Sequence, residues 1–272
     1  MCYKCFFVLN VVTWNVNSIN MRKDQVIELS SSFEGMNDDT CIMLQELKCV
    51  NEKFPDSFND LFKNIIIHGQ KRYNGVAVLT NKKVNRVEYT FDNNPCADES
   101  RYLEVEIDDN VVLISVYVPN GTSIKHENFG KKLLFLDSLK NRLDYLNKCG
   151  KIVVIGGDFN VAPFDIDVYS ASDMRNTLSF TVEEKVRIKQ ILNIGFVDFF
   201  RIKNYNKKEF SWWDYRGSSL QNNTGLRIDY ILCNKSECFV SCRMLKHTRF
   251  VESPSDHIPV QAVIKYKRGF YE

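Results

Sequence analysis

The sequence lacks long hydrophobic runs, a marked charge of either sign, and the familiar nucleotide-binding and nucleophile-bearing loops. No segment reaches the ~18 consecutive apolar residues that a membrane-spanning helix needs. Its 36 basic and 34 acidic residues leave a net charge of +2, so any affinity for nucleic acid must come from a local patch. No Gly-x-Ser-x-Gly elbow, Walker loop or dinucleotide fingerprint occurs. The sequence therefore gives no sign of a serine hydrolase, a P-loop NTPase or a dinucleotide-dependent enzyme.

The chain also shows no composition break that would divide it into parts. It has no low-complexity tract, no Pro/Gly-rich linker and no short repeat. A hydrophobic content of 44% and a charged content of 26% are ordinary for a globular protein. Strand-like and helix-like runs are mixed along the chain, which favours a single α/β domain over residues 1–272. We expect residues 1–8 to be a short leader before the first strand.

Nine cysteines are many, but their number is odd and their spacing is irregular. Zinc sites commonly take four ligands from two paired clusters. The only close pairs, Cys2 with Cys5 and Cys238 with Cys242, lie at opposite ends of the chain. A zinc site stays an alternative, and reduced structural thiols are the favoured interpretation. Reduced thiols predict a cytoplasmic protein.

Runs rich in Val and Ile predict nine strands, and short connections such as residues 108–110 predict hairpins and hence a mixed sheet. A broad leucine stripe that includes Leu134 predicts a helix over residues 131–146. A capping box opens a second predicted helix over residues 181–192, and residues 21–33 form a weaker one. The predicted strands are residues 8–16, 41–45, 65–68, 75–79, 102–107, 111–118, 152–155, 228–232 and 260–266.

The most informative segment is residues 151–160, where an apolar run ends at two glycines and is followed by an acid and an amide. The apolar run is typical of a strand buried on both faces. We expect the glycines to let the backbone turn and to allow a close approach. Asp158 and Asn160 occupy alternate positions, so their side chains should point the same way. A carboxylate and a carboxamide aimed together into a crevice suit the binding and activation of a water molecule.

Polar side chains follow other predicted strands as well. Asn15 follows residues 11–14 of the first strand, and Glu46 follows a buried apolar run, where a carboxylate must be solvated, paired or bound to a cation. Tyr117 and Asn120 end a further strand and could donate hydrogen bonds to an anion. Each has an ordinary alternative, because strand-end asparagines often serve as turns or caps and tyrosines often lie in the core.

An acid and a histidine near the C-terminus complete the set. Asp229 lies inside an apolar run and needs a dedicated partner. His257, next to Asp256, precedes the last predicted strand, so Asp229 could fix the tautomer of His257 and keep it charged beside a phosphate. The aromatic stretch at residues 210–216 suits stacking on bases or deoxyribose rings, although such residues are more often part of a core.

Taken together, these residues form an oxygen-rich set without clustered cysteine or histidine. Such a set favours Mg²⁺ or Mn²⁺ over Zn²⁺ as the bound metal. Metal-assisted hydrolysis of a phosphoester is the reaction class that fits it.

Seven motifs, in this order, resemble the exonuclease III family of apurinic/apyrimidinic endonucleases, within the endonuclease/exonuclease/phosphatase superfamily. Residues 68–71, 210–212 and 214–216 are most similar to the bacterial branch of this family. The resemblance runs from about Val11 to about Tyr266. It implies an α/β fold in the form of a four-layered sandwich, with two mixed β-sheets packed face to face and helices on the outside. The motifs are residues 13–17, 44–46, 74–77, 117–120, 157–160, 226–230 and 255–257.

The resemblance also implies roles for individual residues. Glu46 would bind the divalent metal with help from Asp256 and Asn15, and Asp158 and Asn160 would lie within the same metal site. Asp158 would orient or deprotonate the attacking water, which Asn160 would position.

The remaining roles concern the substrate. His257, supported by Asp229, would bind the scissile phosphate and stabilise the developing charge. Tyr117 and Asn120 would hold the same phosphate. Trp212 and Leu226 would wall the pocket for the abasic deoxyribose, and the DNA backbone would be gripped by Arg101, Gln70 and Lys71.

The function that the resemblance implies is a Mg²⁺-dependent DNA repair nuclease. It would cut duplex DNA 5′ to abasic sites, leave a 3′-hydroxyl, and trim or unblock 3′ ends. Its partner would be duplex DNA with abasic sites or blocked 3′ ends. It would act as a monomer away from membranes, in the cytoplasm and, in a bacterium, at the nucleoid. The alternatives are a phosphoesterase of the same superfamily with a non-DNA substrate, and an inactive homologue that binds nucleic acid.

Overall fold

A computed structural model describes residues 6–33, 35, 39–108 and 110–267. These residues form two six-stranded sheets and four helices. The strands are β1 (Phe6–Asn15), β2 (Thr40–Gln45), β3 (Asn64–His68), β4 (Val76–Thr80), β5 (Val84–Glu88), β6 (Tyr102–Ile107), β7 (Val111–Tyr117), β8 (Ile152–Asp158), β9 (Val197–Asp198), β10 (Asp229–Cys233), β11 (Phe239–Met244) and β12 (Val260–Lys267). The helices are α1 (Ile19–Ser31), α2 (Glu127–Lys148), α3 (Val182–Asn193) and α4 (Phe199–Lys203).

Both sheets are mixed. The first has the strand order β11-β12-β1-β2-β4-β3, with β1 and β2 parallel. The second has the order β5-β6-β7-β8-β10-β9, with β7 and β8 parallel. Their inner faces share one apolar core, α1 covers the outer face of the first sheet, and α2 and α3 cover that of the second. The predicted four-layered α/β sandwich is confirmed.

Strand alternation explains why the central strands are apolar on both sides. In β1, Val11 belongs to the core between the sheets, and Val12 belongs to the core under α1. In β8, Val154 faces the first of these cores, and Val153 faces α2 and α3. Because neighbouring residues of a strand point to opposite faces, a strand with a layer on each side needs a continuous apolar run.

The expectation that the backbone turns at the two glycines of β8 is wrong. The strand does not turn at Gly156 and Gly157 but continues through both to Asp158. The expected close approach is confirmed, since a Cβ atom at Gly156 would lie 2.3 Å from the Met43 side chain and 3.0 Å from Thr13. The first sheet therefore packs directly against the β8 backbone just before the strand reaches Asp158.

Helix α2 is longer than predicted, and its buried face is different. Leu134 is 59% exposed, whereas Lys132 and Phe135 are fully buried. The buried residues 132, 135, 136, 139, 143 and 146 follow the helical i, i+3, i+4 spacing. Leu134 lies outside this spacing, so the prediction that it belongs to the apolar stripe is wrong. No helix in the described part of the chain is both long enough and apolar enough to cross a membrane.

The strand predictions failed mainly at the sheet edges. Strand β1 begins at Phe6, so residues 6–8 are not part of a leader, and residues 1–5 lie outside the described residues. Strands β5, β9 and β11 were not predicted. Strands β5 and β11 pair with only one neighbour and contain both polar and apolar residues, and β9 has two residues. Edge strands need fewer apolar residues than central ones, so their signal is weak.

The cysteines of the described residues are free thiols, as expected. The only grouping of His, Cys, Asp and Glu there that could hold a metal contains no cysteine. Cys238 is buried and Cys242 half-buried beside the central core. Cys2 and Cys5 lie outside the described residues.

A buried ion pair stabilises the segment that carries one wall of the site. The Arg227 Nε and Asp167 Oδ1 atoms lie 2.6 Å apart, and both side chains are fully buried. We expect Asp167→Asn to lower the free energy of unfolding by about 3 kcal/mol, because the buried Arg227 guanidinium then keeps only Asp198, at 2.7 Å, as a counter-charge. Urea denaturation measures this loss. The control is Glu88→Gln, which breaks an exposed pair with Arg86 and should cost about 1 kcal/mol or less; equal losses would contradict the prediction.

Candidate active site

The predicted functional residues meet at one end of the sandwich, where strands from both sheets end. Asn15 and Asp158 are the last residues of β1 and β8, and Glu46 directly follows β2. Asp229 begins β10 and pairs with Asp158 across the sheet. His257 precedes β12, the antiparallel neighbour of β1. The topology brings strand ends that are far apart in sequence to the same edge.

Asn15 links the two carboxylates at the centre of the site. Its amide nitrogen donates to Glu46 Oε1 at 2.8 Å and to Asp158 Oδ2 at 3.0 Å. Its oxygen accepts the backbone N–H of Asn17 at 3.0 Å. In this orientation Asn15 presents a donor to both carboxylates and bridges them. Its role as a metal ligand stays a prediction.

Asp158 and Asn160 do converge, but a turn brings them together and not strand alternation. The strand ends at Asp158, and Asn160 has a φ of 51°, in the left-handed region. The Asn160 backbone N–H then donates to Asp158 Oδ1 at 2.8 Å, and its amide donates to Oδ2 at 3.2 Å. The amide oxygen accepts from the Asn120 side chain at 3.2 Å. The expected pairing of a carboxylate with a carboxamide is present.

His257 has the partner that the sequence suggested. Its Nδ1 atom lies 2.9 Å from Asp229 Oδ2, and its Nε2 atom lies 3.7 Å from Asp158 Oδ2. Ser211, which sequence reasoning missed, donates to Asp229 Oδ2 at 2.6 Å and accepts the backbone N–H of Asp229 at 3.1 Å. Asp229 is thereby fixed, and it in turn orients the imidazole so that Nε2 faces Asp158. A serine 18 residues from its partner gave no sequence signal.

The pKa values of His257 and Asp158 are both raised, but for different reasons. Burial lowers the pKa of His257, but the carboxylates of Asp229 and Asp158 outweigh burial and raise it to about 10. Burial also raises the pKa of Asp158 to about 7, with the charges of Asp229 and Glu46 adding to the rise and His257 opposing it. At neutral pH the imidazole is therefore a cation. The pKa of Asp158 is close to neutral pH, where a general base works best.

The protonation of His257 gives a direct prediction. In the metal-free protein we expect its imidazole to carry both protons at pH 8 and to lose one near pH 10. Nitrogen-15 NMR of the ring nitrogens measures this. In Asp229→Asn the pKa should fall, because burial then meets less opposing negative charge. A neutral His257 at pH 8 in the wild type would contradict this account.

Tyr117 lies beside Glu46, and its ring packs against Arg101. Its hydroxyl is hydrogen-bonded to Glu46, and burial together with the charges of Glu46 and Asp158 raises its pKa well above the usual value. The phenol is therefore a donor at neutral pH. The Arg101 guanidinium stacks on the ring, 4.8 Å from its centroid, and is held by Glu99 at 2.5 Å. Arg101 therefore supports the Tyr117 ring, and its contact with the DNA backbone stays a prediction.

The carboxylates and the imidazole open into a pocket of about 530 Å³. Trp212 and Leu226 form part of its wall, as expected, and are joined by two backbone hydrogen bonds of 3.0 Å. Trp213 and Phe210 are buried in the core between the sheets, so Trp212 is the aromatic residue of this stretch that lines the pocket. Wall residues that sequence reasoning missed include Tyr169, Met174, Leu178 and Ile228.

Asp256 lines the same pocket, but its carboxylate is occupied by other contacts. Trp212 Nε1 donates to one oxygen at 3.0 Å, and Asn17 Nδ2 donates to the other at 2.9 Å. Burial opposes ionisation, but the charge of His257 and these hydrogen bonds keep the pKa of Asp256 below its usual value. Glu46, Asp158 and His257 have ligand atoms within 4.8 Å of one another, and Asp256 is not in that group. Its role as a metal ligand stays a prediction.

The donor set fits a hard divalent cation at Glu46 and Asp158. Carboxylate oxygens are the ligands that such cations prefer. The Lys48 ammonium, which sequence reasoning missed, lies 2.9 Å from Glu46 Oε2. The Glu46 carboxylate is therefore already paired with one cation. Burial opposes ionisation of Glu46, but Lys48 and Asn15 keep its pKa below the usual value. His257 is a poor ligand, because it is protonated and its Nδ1 atom is bound to Asp229.

Two residues expected to grip DNA lie outside the pocket. Gln70 accepts the Ser100 backbone N–H and the Asn74 side chain, both at 2.9 Å, so it is part of the loop structure behind Tyr117. Lys71 is exposed on the loop between β3 and β4. A contact of either residue with DNA stays a prediction.

Clustered carboxylates, amide donors and a charged histidine define the site of a metal-assisted phosphoester hydrolase. The chain belongs to the Endonuclease/Exonuclease/phosphatase family, whose model matches residues 12–257. It is 32% identical to exodeoxyribonuclease III of Haemophilus influenzae, over 94% of this chain and 100% of the relative.

Solved structures agree with this assignment. An AP endonuclease from Archaeoglobus fulgidus superposes with a TM-score of 0.87 at 33% identity, covering 94% of this chain and 99% of the other. The 3′ phosphatase NExo from Neisseria, bound to a product DNA hairpin, superposes with a TM-score of 0.85 at 30% identity, covering 93% and 98%.

Proposed function

We propose that this protein is a DNA repair nuclease that hydrolyses the phosphodiester 5′ to abasic sites in duplex DNA and also processes 3′ ends. The main support is that one potential ligand atom each of Asp158, Glu46 and His257 lies within 4.8 Å of the others. All three residues line a pocket with apolar walls. The relatives above are named as an exodeoxyribonuclease, an AP endonuclease and a 3′ phosphatase. The class of function predicted from the sequence is therefore supported by relatives that match over nearly the whole chain.

The residues of the chain divide the reaction between them. Asp158 accepts the proton of the attacking water, for which its raised pKa suits it. Asn160, fixed by Asp158 and Asn120, holds that water in line with the phosphorus. The His257 cation and the Tyr117 hydroxyl donate to the phosphate oxygens, where negative charge develops in the transition state. Hydrolysis then takes place in one displacement without a covalent intermediate.

Glu46 and Asp158 would hold a divalent metal ion, which we propose to be Mg²⁺, with Mn²⁺ able to replace it. When bound, such an ion supplies positive charge that stabilises the phosphoryl oxygens and the leaving group. The apolar wall of Trp212, Leu226 and Ile228 would receive a deoxyribose that carries no base, since it offers packing without hydrogen-bond partners. We further propose that the protein acts as a monomer in the cytoplasm.

A substrate panel tests the proposal. Purified protein with Mg²⁺ is given a duplex with one tetrahydrofuran abasic analogue, the same duplex undamaged, a single-stranded RNA, an inositol phosphate and sphingomyelin. We expect cleavage of the abasic duplex to exceed all the others. Preferential turnover of RNA or of a small phosphoester would favour a phosphoesterase with a non-DNA substrate. Tight DNA binding without any turnover would favour the inactive homologue.

A further inference from the structure

Lys132, on the buried face of α2, has a fully buried ammonium group close to the site. It forms an ion pair with Glu184 of α3, which is also fully buried. The ammonium donates to the backbone oxygen of Asn120 at 3.1 Å and to that of Asn160 at 2.8 Å. A lysine is rarely fully buried unless it is paired, and here two of its three donors hold the backbone of pocket residues.

Glu184 extends this connection to a third loop. Its Oε1 atom accepts the backbone N–H of Ser179 at 3.0 Å, and its Oε2 atom accepts the N–H and the hydroxyl of Thr181 at 3.0 and 2.8 Å. Asn120, Asn160 and Ser179 all line the pocket. One buried pair therefore connects the loops after β7 and β8 with the loop before α3.

The contact with Asn160 matters most, because its backbone conformation is unusual. A φ of 51° is rare for a residue other than glycine, and such a conformation persists when the surroundings fix it. Lys132 holds the carbonyl of this residue. The side chain of Asn160 is then directed to Asp158 Oδ2 and to the Val118 backbone oxygen at 3.0 Å, and it accepts from Asn120.

We propose that Lys132 and Glu184 are positioning residues that set Asn120 and Asn160 for the phosphate and the attacking water. This rests on the proposed function for the roles of the two asparagines. The pair touches no reacting atom and acts through the backbone of the residues that do. A small displacement of such groups lowers the rate of the chemical step strongly.

The test compares a fully buried ion pair with a partly buried one on the same helix. Lys132→Met removes the positioning pair, and Arg142→Met removes a pair with Glu104, whose atoms lie 2.7 and 2.9 Å apart. Arg142 lies ten residues further along α2, about 15 Å away, and contacts β6 and not a pocket loop. We expect both variants to unfold at lower urea concentration. On the abasic duplex, well below the unfolding temperature, kcat of Lys132→Met should fall about tenfold or more, while that of Arg142→Met stays within about twofold.

A double variant separates positioning from stability. Lys132→Met with Glu184→Gln leaves no buried unpaired charge, so it should recover stability relative to Lys132→Met. Its kcat should stay low, because the carbonyls of Asn120 and Asn160 still lack their donor. Recovery of stability and kcat together would overturn the proposal, since the pair would then be structural only.

Hydrogen exchange gives a readout that does not depend on the substrate. We expect the backbone amides of residues 158–162 and 120–122 to exchange faster in Lys132→Met than in Arg142→Met, relative to the wild type. Equal exchange in the two variants would overturn the positioning role. If the wild type cleaved no DNA, the proposed function would fail, and the exchange comparison would still decide whether Lys132 sets these loops.

Discussion

Asp158→Asn should lower kcat on an abasic duplex by about a thousandfold or more. The variant keeps the size of the side chain but removes the base that accepts the proton of the water, a contribution typically worth 10²–10⁴-fold. It also removes a charge from the carboxylate pair that Asn15 bridges. Single-turnover incision at saturating Mg²⁺ measures the loss in the chemical step.

The matched control is Asp165→Asn, which makes the same chemical change at an exposed position seven residues further along the chain. It should cut at the wild-type rate. A rate of Asp158→Asn within tenfold of this control would contradict the assignment of Asp158 as the base. A folded Asp158→Asn protein that still binds the duplex would place the loss in chemistry and not in recognition.

His257→Gln should lower kcat by roughly 10²–10³-fold, with a smaller effect on KM. Asp229 orients the imidazolium toward Asp158 at the centre of the site, and in the proposed reaction the imidazolium donates to the phosphate oxygens. Removal of one such preorganised donor typically costs this much. Glutamine retains a hydrogen-bond donor but not the positive charge, so the variant tests the charge itself.

His247→Gln is the control for this change, because His247 is exposed on the turn at residues 246–250. It should leave both kcat and KM unchanged. A rise in KM of His257→Gln with an unchanged kcat would mean that His257 only binds the ground state, which would contradict its role in stabilising the transition state.

The sequence predicted the central elements well because their signal is strong. Strands β1, β7 and β8 are buried on both faces and read as continuous apolar runs. The edge strands β5 and β11 were missed, since a strand with one neighbour and one covered face keeps polar residues. Leu134 was predicted on the buried face of α2 but is exposed, because its position does not match the helical spacing of the buried residues.

The residues that meet at this end of the sandwich could be selected from the sequence because each lies next to an apolar strand. A polar group there must be solvated, paired or bound to a ligand. Their supports could not be predicted. Ser211 and Lys132 are common residue types in unremarkable local sequence, and only the fold brings them to Asp229 and to the Asn160 carbonyl. Helical spacing places Lys132 on the buried face of α2, but a lysine is expected on the surface, because the sequence alone does not show that Glu184 lies opposite.

The most direct test of the account is the position and metal dependence of the first cut. A 5′-labelled duplex with one tetrahydrofuran site is incubated with the wild-type protein in Mg²⁺ and in EDTA, and the product ends are mapped. We expect a single cut immediately 5′ to the lesion that leaves a 3′-hydroxyl, only when Mg²⁺ is present. Incision 3′ to the lesion, incision of equal rate in EDTA, or no incision by the folded, Mg²⁺-supplied protein would contradict it.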